Sequence, residues 1–288
     1  EFKATQNLKD AKGLVYRKDK PITLVVADEG RGKYYGELSN YCYINSNRIE
    51  KILSRTLAKK ILETKFDDTN CKDQDAVLAD FQSADGGLRQ VKWGNSDIES
   101  TLWAVYIDSS KFDREKIIKY FESFTNVGWG KNEDKIMANW GLTILGKPQI
   151  NNLNILASDA KTFKEKVLLA LAFNYAGENE KSKNIYLDLL NQYGYTNKPY
   201  IRIQSGSYDM NNYLLDTSYM LLLSSKLNDS YDTGMSLYLR DYKTEATNVI
   251  LEVSNISFID NELSKLPKTD TEIRIKSNYK SQNFDLSK

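Results

Sequence analysis

The sequence predicts a mainly α protein with a small β-domain. Apolar residues recur at helical spacing across about 200 central residues. β-branched and aromatic runs lie near both chain ends, and glycine or proline separates the periodic segments. With 288 residues, 41% of them hydrophobic, the chain can build a substantial core, and its length suits about two domains.

β-branched and aromatic runs predict strands at the two ends of the chain. They cover 13–17, 22–28 and 33–38 near the N-terminus, and 249–253, 256–259 and 271–276 near the C-terminus. Because isolated hairpins are marginally stable, we expect the two ends to pair into one sheet with the helical unit inserted between them. Two separate β appendages are the alternative. The predicted domains are 1–40 and 246–288 for the two parts of the β-domain, and 41–245 for the helical unit.

The central segments have apolar residues three and four positions apart, which predicts helices. They cover 47–63, 76–81, 98–107, 113–124, 135–145, 163–176, 180–193, 212–227 and 231–242. Antiparallel helices of this length can form a bundle, a superhelical repeat array or a closed α/α toroid. The pair at 168–186 superficially suits a tetratricopeptide unit, but the required spacing of about 34 residues is not sustained.

Composition excludes several function classes. The chain has no histidine, so no imidazole can act as a base, an acid or a metal ligand. Two cysteines alone cannot form a structural zinc site, so we expect neither a metal nor a cofactor. A formal net charge of +1 provides no general attraction for nucleic acid, and no apolar run is long enough to span a membrane. We expect Cys42 and Cys71 to be separate buried thiols, with one disulfide as the alternative.

A short turn motif carries a resemblance to a known family. Gln82, Asp85, Gly86 and Gly87 form a Gln-x-x-Asp-Gly-Gly sequence that resembles the turn of terpenoid-cyclase-type α/α toroids. The segments 143–148 and 168–190 are further similar to the thioester-containing domain of alpha-2-macroglobulin and complement proteins. The resemblance covers about 41–242 and implies an α/α toroid inserted into a small CUB-like β-domain.

The same resemblance implies a Cys-x-x-Gln thioester at the start of the first toroid helix. At the matching position this sequence has Cys42, but Asn45 stands where glutamine is expected. Asparagine is one methylene shorter, so we predict that this thioester is lost. Cys71 and Gln74 have the family's spacing but follow one helix later, which makes them a weaker candidate.

Enzymatic relatives with this fold find less support in the sequence. No Asp-x-Asp-Asp acid of the terpene cyclases occurs, and zinc-binding prenyltransferases need histidine. Polysaccharide lyases on α/α toroids can use tyrosine with arginine and asparagine. The chain has 19 tyrosines, and those considered for such a cleft are Tyr193, Tyr195, Tyr200, Tyr208 and Tyr213. Trp93, Trp129 and Tyr208 lie in predicted turns, where they could line a toroid mouth or contact a partner.

The functional hypothesis is a non-catalytic protein-interaction module. The resemblance implies part of a larger secreted, cell-surface or periplasmic protein that traps proteases or contacts an immune component. The expected partner is a protease or another domain of the longer chain, with no nucleic acid and no membrane span. A polysaccharide lyase and a helical-repeat scaffold are the alternatives.

Overall fold

The computed structural model of the chain describes residues 29–44, 46–71, 75–125, 130–206, 209–242, 248–266, 272–276 and 281–285. The helices within them are α1 (Glu29–Cys42), α2 (Ile49–Phe66), α3 (Ile98–Asp108), α4 (Arg114–Thr125), α5 (Asn132–Ile144), α6 (Ile150–Asp159), α7 (Phe163–Tyr175), α8 (Asn179–Tyr193), α9 (Met210–Leu227), α10 (Asp232–Asp241) and α11 (Val249–Lys265). Short 3-10 helices cover Asp75–Phe81 and Ser109–Lys111. The strands pair as antiparallel hairpins: β1 (Leu88–Arg89) with β2 (Ser96–Asp97), β3 (Gly194–Asn197) with β4 (Tyr200–Ile203), and β5 (Glu272–Lys276) with β6 (Ser281–Asp285).

Six of the described helices form a closed inner ring. In order around the ring, α2, α3, α5, α7, α9 and α11 each pack against the next, and α11 packs back against α2. Outer helices cover this ring: α4 packs on α5, α6 on α5 and α7, α8 on α7 and α9, and α10 on α9 and α11. The closure rules out an open repeat array and a straight bundle. The predicted mainly α fold, with its α/α toroid, is confirmed.

Position in the ring explains the composition of each helix. The inner helix α7 has only buried residues from Val167 to Phe173, because neighbours surround it on several sides. The outer helix α8 buries only Ser182, Tyr186 and Leu189, and its remaining face is polar. The middle of α7 is therefore apolar all round, while α8 buries one face only.

Aromatic rings fill the space inside the ring. Trp103 of α3 lies 5.7 Å from Trp140 of α5 and 6.3 Å from Tyr219 of α9, measured between ring centroids. Helices α3 and α9 stand on opposite sides of the ring, so this contact crosses its centre. Both tryptophans are fully buried.

Two predicted strand regions are helical. Residues 33–38 belong to α1, and the runs 249–253 and 256–259 belong to α11. The apolar residues of α11 recur at helical spacing, and they fill the gap between α2 and α9. Burial against two neighbouring helices outweighs the β-propensity of valine and isoleucine. The sequence also missed α6 and the β3–β4 hairpin.

The chain divides into two compact units, Lys33–Lys268 and the pair Glu1–Gly32 with Thr269–Lys288. The toroid belongs to the first unit. In the second, β5 confirms the strand predicted at 271–276, and it pairs with β6. The strands predicted at 13–17 and 22–28 lie outside the described residues, and the predicted CUB-like domain and its boundaries remain predictions.

Candidate functional site

The two cysteines form a disulfide. Cys42 ends α1, Cys71 follows α2, and their Cα atoms are 5.2 Å apart. The expectation of two separate thiols is therefore wrong. The sequence could not reveal the pairing, because it depends on the end of α1 coming to lie beside the segment that follows α2.

The disulfide lies among contacts that hold α1 against the end of α2. The rings of Tyr35 and Phe66 meet edge to face at 5.3 Å, and the Tyr35 hydroxyl donates to Asp68 at 2.7 Å. Burial, with Asp68 beside it, raises the pKa of Tyr35 to about 12. Because the hydroxyl stays protonated at neutral pH, Tyr35 acts here as a structural donor and not as a base.

The disulfide also determines what the sulfur atoms can do. A thioester requires a thiolate that attacks an amide carbonyl, and both cysteines of the chain are already bonded to each other. Asn45 and Gln74, the two acyl partners considered above, lie outside the described residues. The oxidised chain therefore has no cysteine thiol available for that reaction.

The Gln-x-x-Asp-Gly-Gly motif forms a joint between three segments. The amide nitrogen of Gln82 donates to the carbonyl oxygens of Gly86 (3.2 Å) and Asp113 (3.1 Å), while its oxygen accepts from the Asp113 backbone at 2.8 Å. Asp85 accepts from the Gly87 backbone and from the Ser96 hydroxyl. The motif thus fastens the 3-10 helix to the start of α4 and to the β1–β2 hairpin.

Both glycines of the motif lie against neighbouring atoms. Gly86 has φ +94°, and a Cβ there would lie 2.1 Å from the Lys116 carbonyl oxygen. A Cβ on Gly87 would lie 2.5 Å from the Tyr120 ring. Only glycine allows these segments to approach so closely. In the structure the motif therefore acts as a closely packed turn between these segments.

A surface cleft of about 630 Å³ lies beside this joint, lined among others by Asp85, Ser96, Lys119, Tyr120 and Phe124. Its polar groups do not form an acid–base pair. Both carboxylate oxygens of Asp85 accept from Ser96. Burial, with the charges of Asp85 and Asp97 nearby, raises the pKa of Tyr120, so its hydroxyl remains protonated. The cleft has polar walls but no activated nucleophile or base among the described residues.

Charged residues meet near the N-terminal ends of the inner helices. Lys164 of α7 pairs with Glu99 of α3 (3.4 Å) and Glu133 of α5 (3.5 Å), and the Tyr219 hydroxyl donates to Glu99 at 3.0 Å. Burial and the Glu99 charge hold the pKa of Tyr219 well above its ordinary value. This tyrosine cannot supply a base at neutral pH, and the cluster links three inner helices to α9.

The tyrosines considered for a lyase cleft lie elsewhere. Tyr195 and Tyr200 lie on the β3–β4 hairpin and Tyr213 on α9, and all three approach the outer helix α10 or Arg202 of β4. Trp93 is 78% exposed, while Trp129 and Tyr208 lie outside the described residues. A partner contact for Trp93 remains a prediction. Sequence reasoning overlooked Arg202, although the alternation of Tyr200 to Ile203 could have shown that it shares a hairpin face with tyrosine.

The described residues contain no group of three or more acidic or cysteine side chains that could hold a metal ion. Among their helices, none has the length and apolar character needed to cross a membrane.

Comparison with known structures places this geometry among solved folds. Salmonella alpha-2-macroglobulin reacted with methylamine superposes with a TM-score of 0.51 at 15% identity, over 89% of this chain. The Y1175G mutant of the same protein gives 0.52 at 15% identity over 88%. The fragment of native Escherichia coli alpha-2-macroglobulin from domain MG7 to the C-terminus gives 0.52 at 13% identity over 88%.

The fold is that of an alpha-2-macroglobulin domain. The chain spans 19% and 18% of the two Salmonella alpha-2-macroglobulin chains and 45% of the Escherichia coli alpha-2-macroglobulin fragment. No protein-family model matches the sequence, and no curated protein matches it significantly.

Proposed function

We propose that this chain is a non-catalytic protein-interaction module of an alpha-2-macroglobulin-like protein whose thioester has been lost. The observation that carries the proposal is the disulfide between Cys42 and Cys71. It occupies the sulfur at the family's thioester position together with the only other cysteine of the chain. A covalent trap therefore has no thiol to build from, and the module acts by contact, in protease trapping or in binding an immune component.

The disulfide also supports an oxidising location. Disulfides persist in secreted, cell-surface and periplasmic proteins and are rare in the cytosol. We therefore infer an extracellular, surface or periplasmic protein. The filled centre of the toroid supports the non-catalytic role, because Trp103, Trp140 and Tyr219 occupy the space that a central cleft would need. The lyase alternative has no tyrosine–arginine–asparagine arrangement in the described lumen to support it.

Methylamine tests the loss of the thioester directly. We expect the intact, non-reduced protein to gain neither a methylamine adduct nor an iodoacetamide adduct, because neither sulfur is acylated or free. Reduction under denaturing conditions should expose both cysteines to alkylation. Addition of one methylamine with release of one free thiol would contradict the proposal, and Asn45→Ala and Gln74→Ala variants would then identify the acyl donor.

A lyase assay tests the other half of the proposal. We expect uronic-acid polymers to show no rise in unsaturated-product absorbance when incubated with the protein. If the absorbance rises, and if a single Tyr→Phe substitution abolishes that rise, the proposed non-catalytic function is wrong. This outcome is independent of the methylamine result.

A further inference from the structure

An arginine held between two tyrosine rings lies within a cluster of tyrosines, some buried and some exposed. The guanidinium carbon of Arg202 is 4.5 Å from the Tyr195 ring centroid and 5.5 Å from that of Tyr213. These are cation–π distances, and they fix the guanidinium plane on the β3–β4 hairpin. When the Gln204 amide is oriented with its oxygen towards Arg202, that oxygen accepts hydrogen bonds from Nη2 (2.8 Å) and Nε (3.0 Å) of Arg202.

Further tyrosines continue this series of side-chain contacts. Arg202 lies beside the Tyr238 hydroxyl, Tyr238 stacks on Tyr242 at 4.8 Å, and Tyr242 meets the Tyr200 ring at 5.6 Å. We call this set the tyrosine–arginine patch: Tyr195, Tyr200, Arg202, Tyr213, Tyr238 and Tyr242.

The patch combines buried anchors with exposed rings. Tyr213 and Tyr238 are buried, whereas Tyr195 is 49% and Tyr242 43% exposed. A rigid tyrosine ring loses little conformational entropy when a partner covers it. Tyrosine and arginine are also the residues that most often dominate the energy of protein interfaces. The patch therefore has both the composition and the rigidity of a binding surface.

The charge of Arg202 indicates what would cover the patch. No carboxylate of the described residues forms an ion pair with Arg202, whereas the neighbouring Asp241 is already paired with Arg240 and accepts from the Tyr200 hydroxyl. A stacked guanidinium that pairs with no carboxylate of the described residues is complemented by a carboxylate from a partner, which can accept from the N–H groups that do not donate to Gln204. Apolar side chains beside that carboxylate would cover the exposed tyrosine rings.

We propose that the tyrosine–arginine patch binds an acidic segment of a separate protein, with Arg202 pairing to a glutamate or aspartate of the partner. This inference rests on the proposed interaction function and names the chemistry of the partner. It involves neither cysteine and so makes no use of the thioester position.

Fluorescence polarisation with a defined peptide tests the proposal. The probe is a labelled peptide in which glutamate alternates with leucine, and its matched control has glutamine in place of glutamate. We expect the disulfide-bonded full chain to bind the glutamate peptide at least tenfold more tightly than the glutamine peptide, and binding to weaken as salt is added. Arg202→Gln should lower the affinity about tenfold, and Arg202→Lys should lower it by a smaller factor, because lysine keeps the charge but not the planar stacking.

Two matched variants separate the patch from general surface effects. Tyr195→Ala should weaken binding several-fold, whereas Tyr175→Ala, at the same 49% exposure but on α7, should leave it unchanged. Lys183→Gln removes an exposed cation from α8 and should also leave it unchanged.

The proposal fails if the two peptides bind equally, if Lys183→Gln weakens binding as much as Arg202→Gln, or if no peptide binds. It also fails if an oligomer of uronic acid binds at Arg202 while the glutamate peptide does not. In each of these cases a protein that gains no methylamine adduct would still support the proposed function. Failure of the patch proposal can therefore be told apart from failure of the proposed function.

Discussion

At the scale of single residues, Gly86 and Gly177 show how the same backbone conformation can have different consequences. Both have positive φ, +94° and +85°, but a Cβ on Gly86 would collide with the Lys116 carbonyl, whereas nothing lies within 4 Å of one on Gly177. Gly86 is therefore needed because two segments approach closely there. Gly177 is needed only for the positive φ with which the helix ends.

Alanine substitutions separate these two effects. We expect Gly86→Ala to lower the free energy of unfolding by about 3 kcal/mol or more, since it adds a backbone collision to the strain of positive φ. Gly177→Ala should lower it by about 1–2 kcal/mol from the strain alone. Urea unfolding measures both, and equal losses would contradict the close approach.

The carboxylate of Glu165 gives a pH-dependent prediction. It accepts from the backbone N–H groups of Lys161 (2.7 Å) and Thr162 (2.9 Å) in the capping box of α7. Burial raises the pKa of Glu165, but these hydrogen bonds outweigh burial and hold the pKa below its ordinary 4.5. The ionised carboxylate therefore adds stability above pH 4.5, and that stability is lost as the pH falls through the lower folded pKa.

We expect Glu165→Gln to cost about 1 kcal/mol at pH 7, because the neutral amide accepts more weakly from the backbone. The difference from the native chain should shrink at pH 3, because protonation of the folded carboxylate removes part or all of its advantage over the amide. Thermal unfolding at the two pH values measures it. Glu180→Gln, an exposed first-turn residue of α8, is the control and should show no comparable change; a Glu165→Gln deficit that persists undiminished at pH 3 would argue against the mechanism.

At the scale of elements, the Gln82 side chain connects segments that the sequence separates widely. Its amide nitrogen donates to two carbonyl oxygens, and its oxygen accepts one backbone N–H. Glutamate has nearly the same shape but cannot donate. The identity of this residue as glutamine follows from the two carbonyls that face it.

The isosteric change Gln82→Glu should therefore lower the free energy of unfolding by about 2–3 kcal/mol, because two carbonyl oxygens would face a carboxylate. Gln149→Glu is the matched control. The Gln149 side-chain oxygen only accepts, from Asn152, so glutamate can replace it within about 0.5 kcal/mol. Chemical denaturation of the two variants should separate them clearly, and similar values would mean that the joint at Gln82 does not stabilise the fold.

Helical segments were predicted well where their periodicity was long, and poorly where β-branched residues dominated. The helices at 98–107, 163–176 and 212–227 match α3, α7 and α9 closely, because their apolar spacing extends over several turns. The strands assigned to 249–253 and 256–259 were wrong, because propensity cannot show that this segment lies between two other helices. The β3–β4 hairpin was missed because Lys198-Pro199 offers none of the usual hairpin turn residues.

At the scale of the whole molecule, the ring closes through the contact between α2 and α11. Lys51 and Glu252 form an ion pair of 2.9 Å across this contact, with side chains only 17% and 8% exposed. The two residues are about 200 positions apart in the sequence. An ion pair shielded in this way matters chiefly when one partner is removed and the other stays buried.

We expect Lys51→Ala to cost about 2–3 kcal/mol and to accelerate amide hydrogen exchange in α2 and α11 together. Lys59→Ala is the matched control, because Lys59 lies on the same helix with 18% exposure, and its ion pair with Glu63 is long, at 3.8 Å. It should cost no more than about 0.5 kcal/mol. Faster exchange confined to α2 would mean that the pair does not hold the ring closed.

The sequence by itself determined the helical character of the chain, the turn motif and the exclusion of histidine chemistry, because each depends on residue type and local spacing. The tertiary structure alone decided three other properties: the closure of the ring through α11, the pairing of Cys42 with Cys71, and the position of Arg202 between two tyrosines. Ring closure and the disulfide join residues that meet only after helices have packed, and Tyr213 reaches Arg202 only because α9 packs against β4. Neither local propensity nor periodicity contains that information.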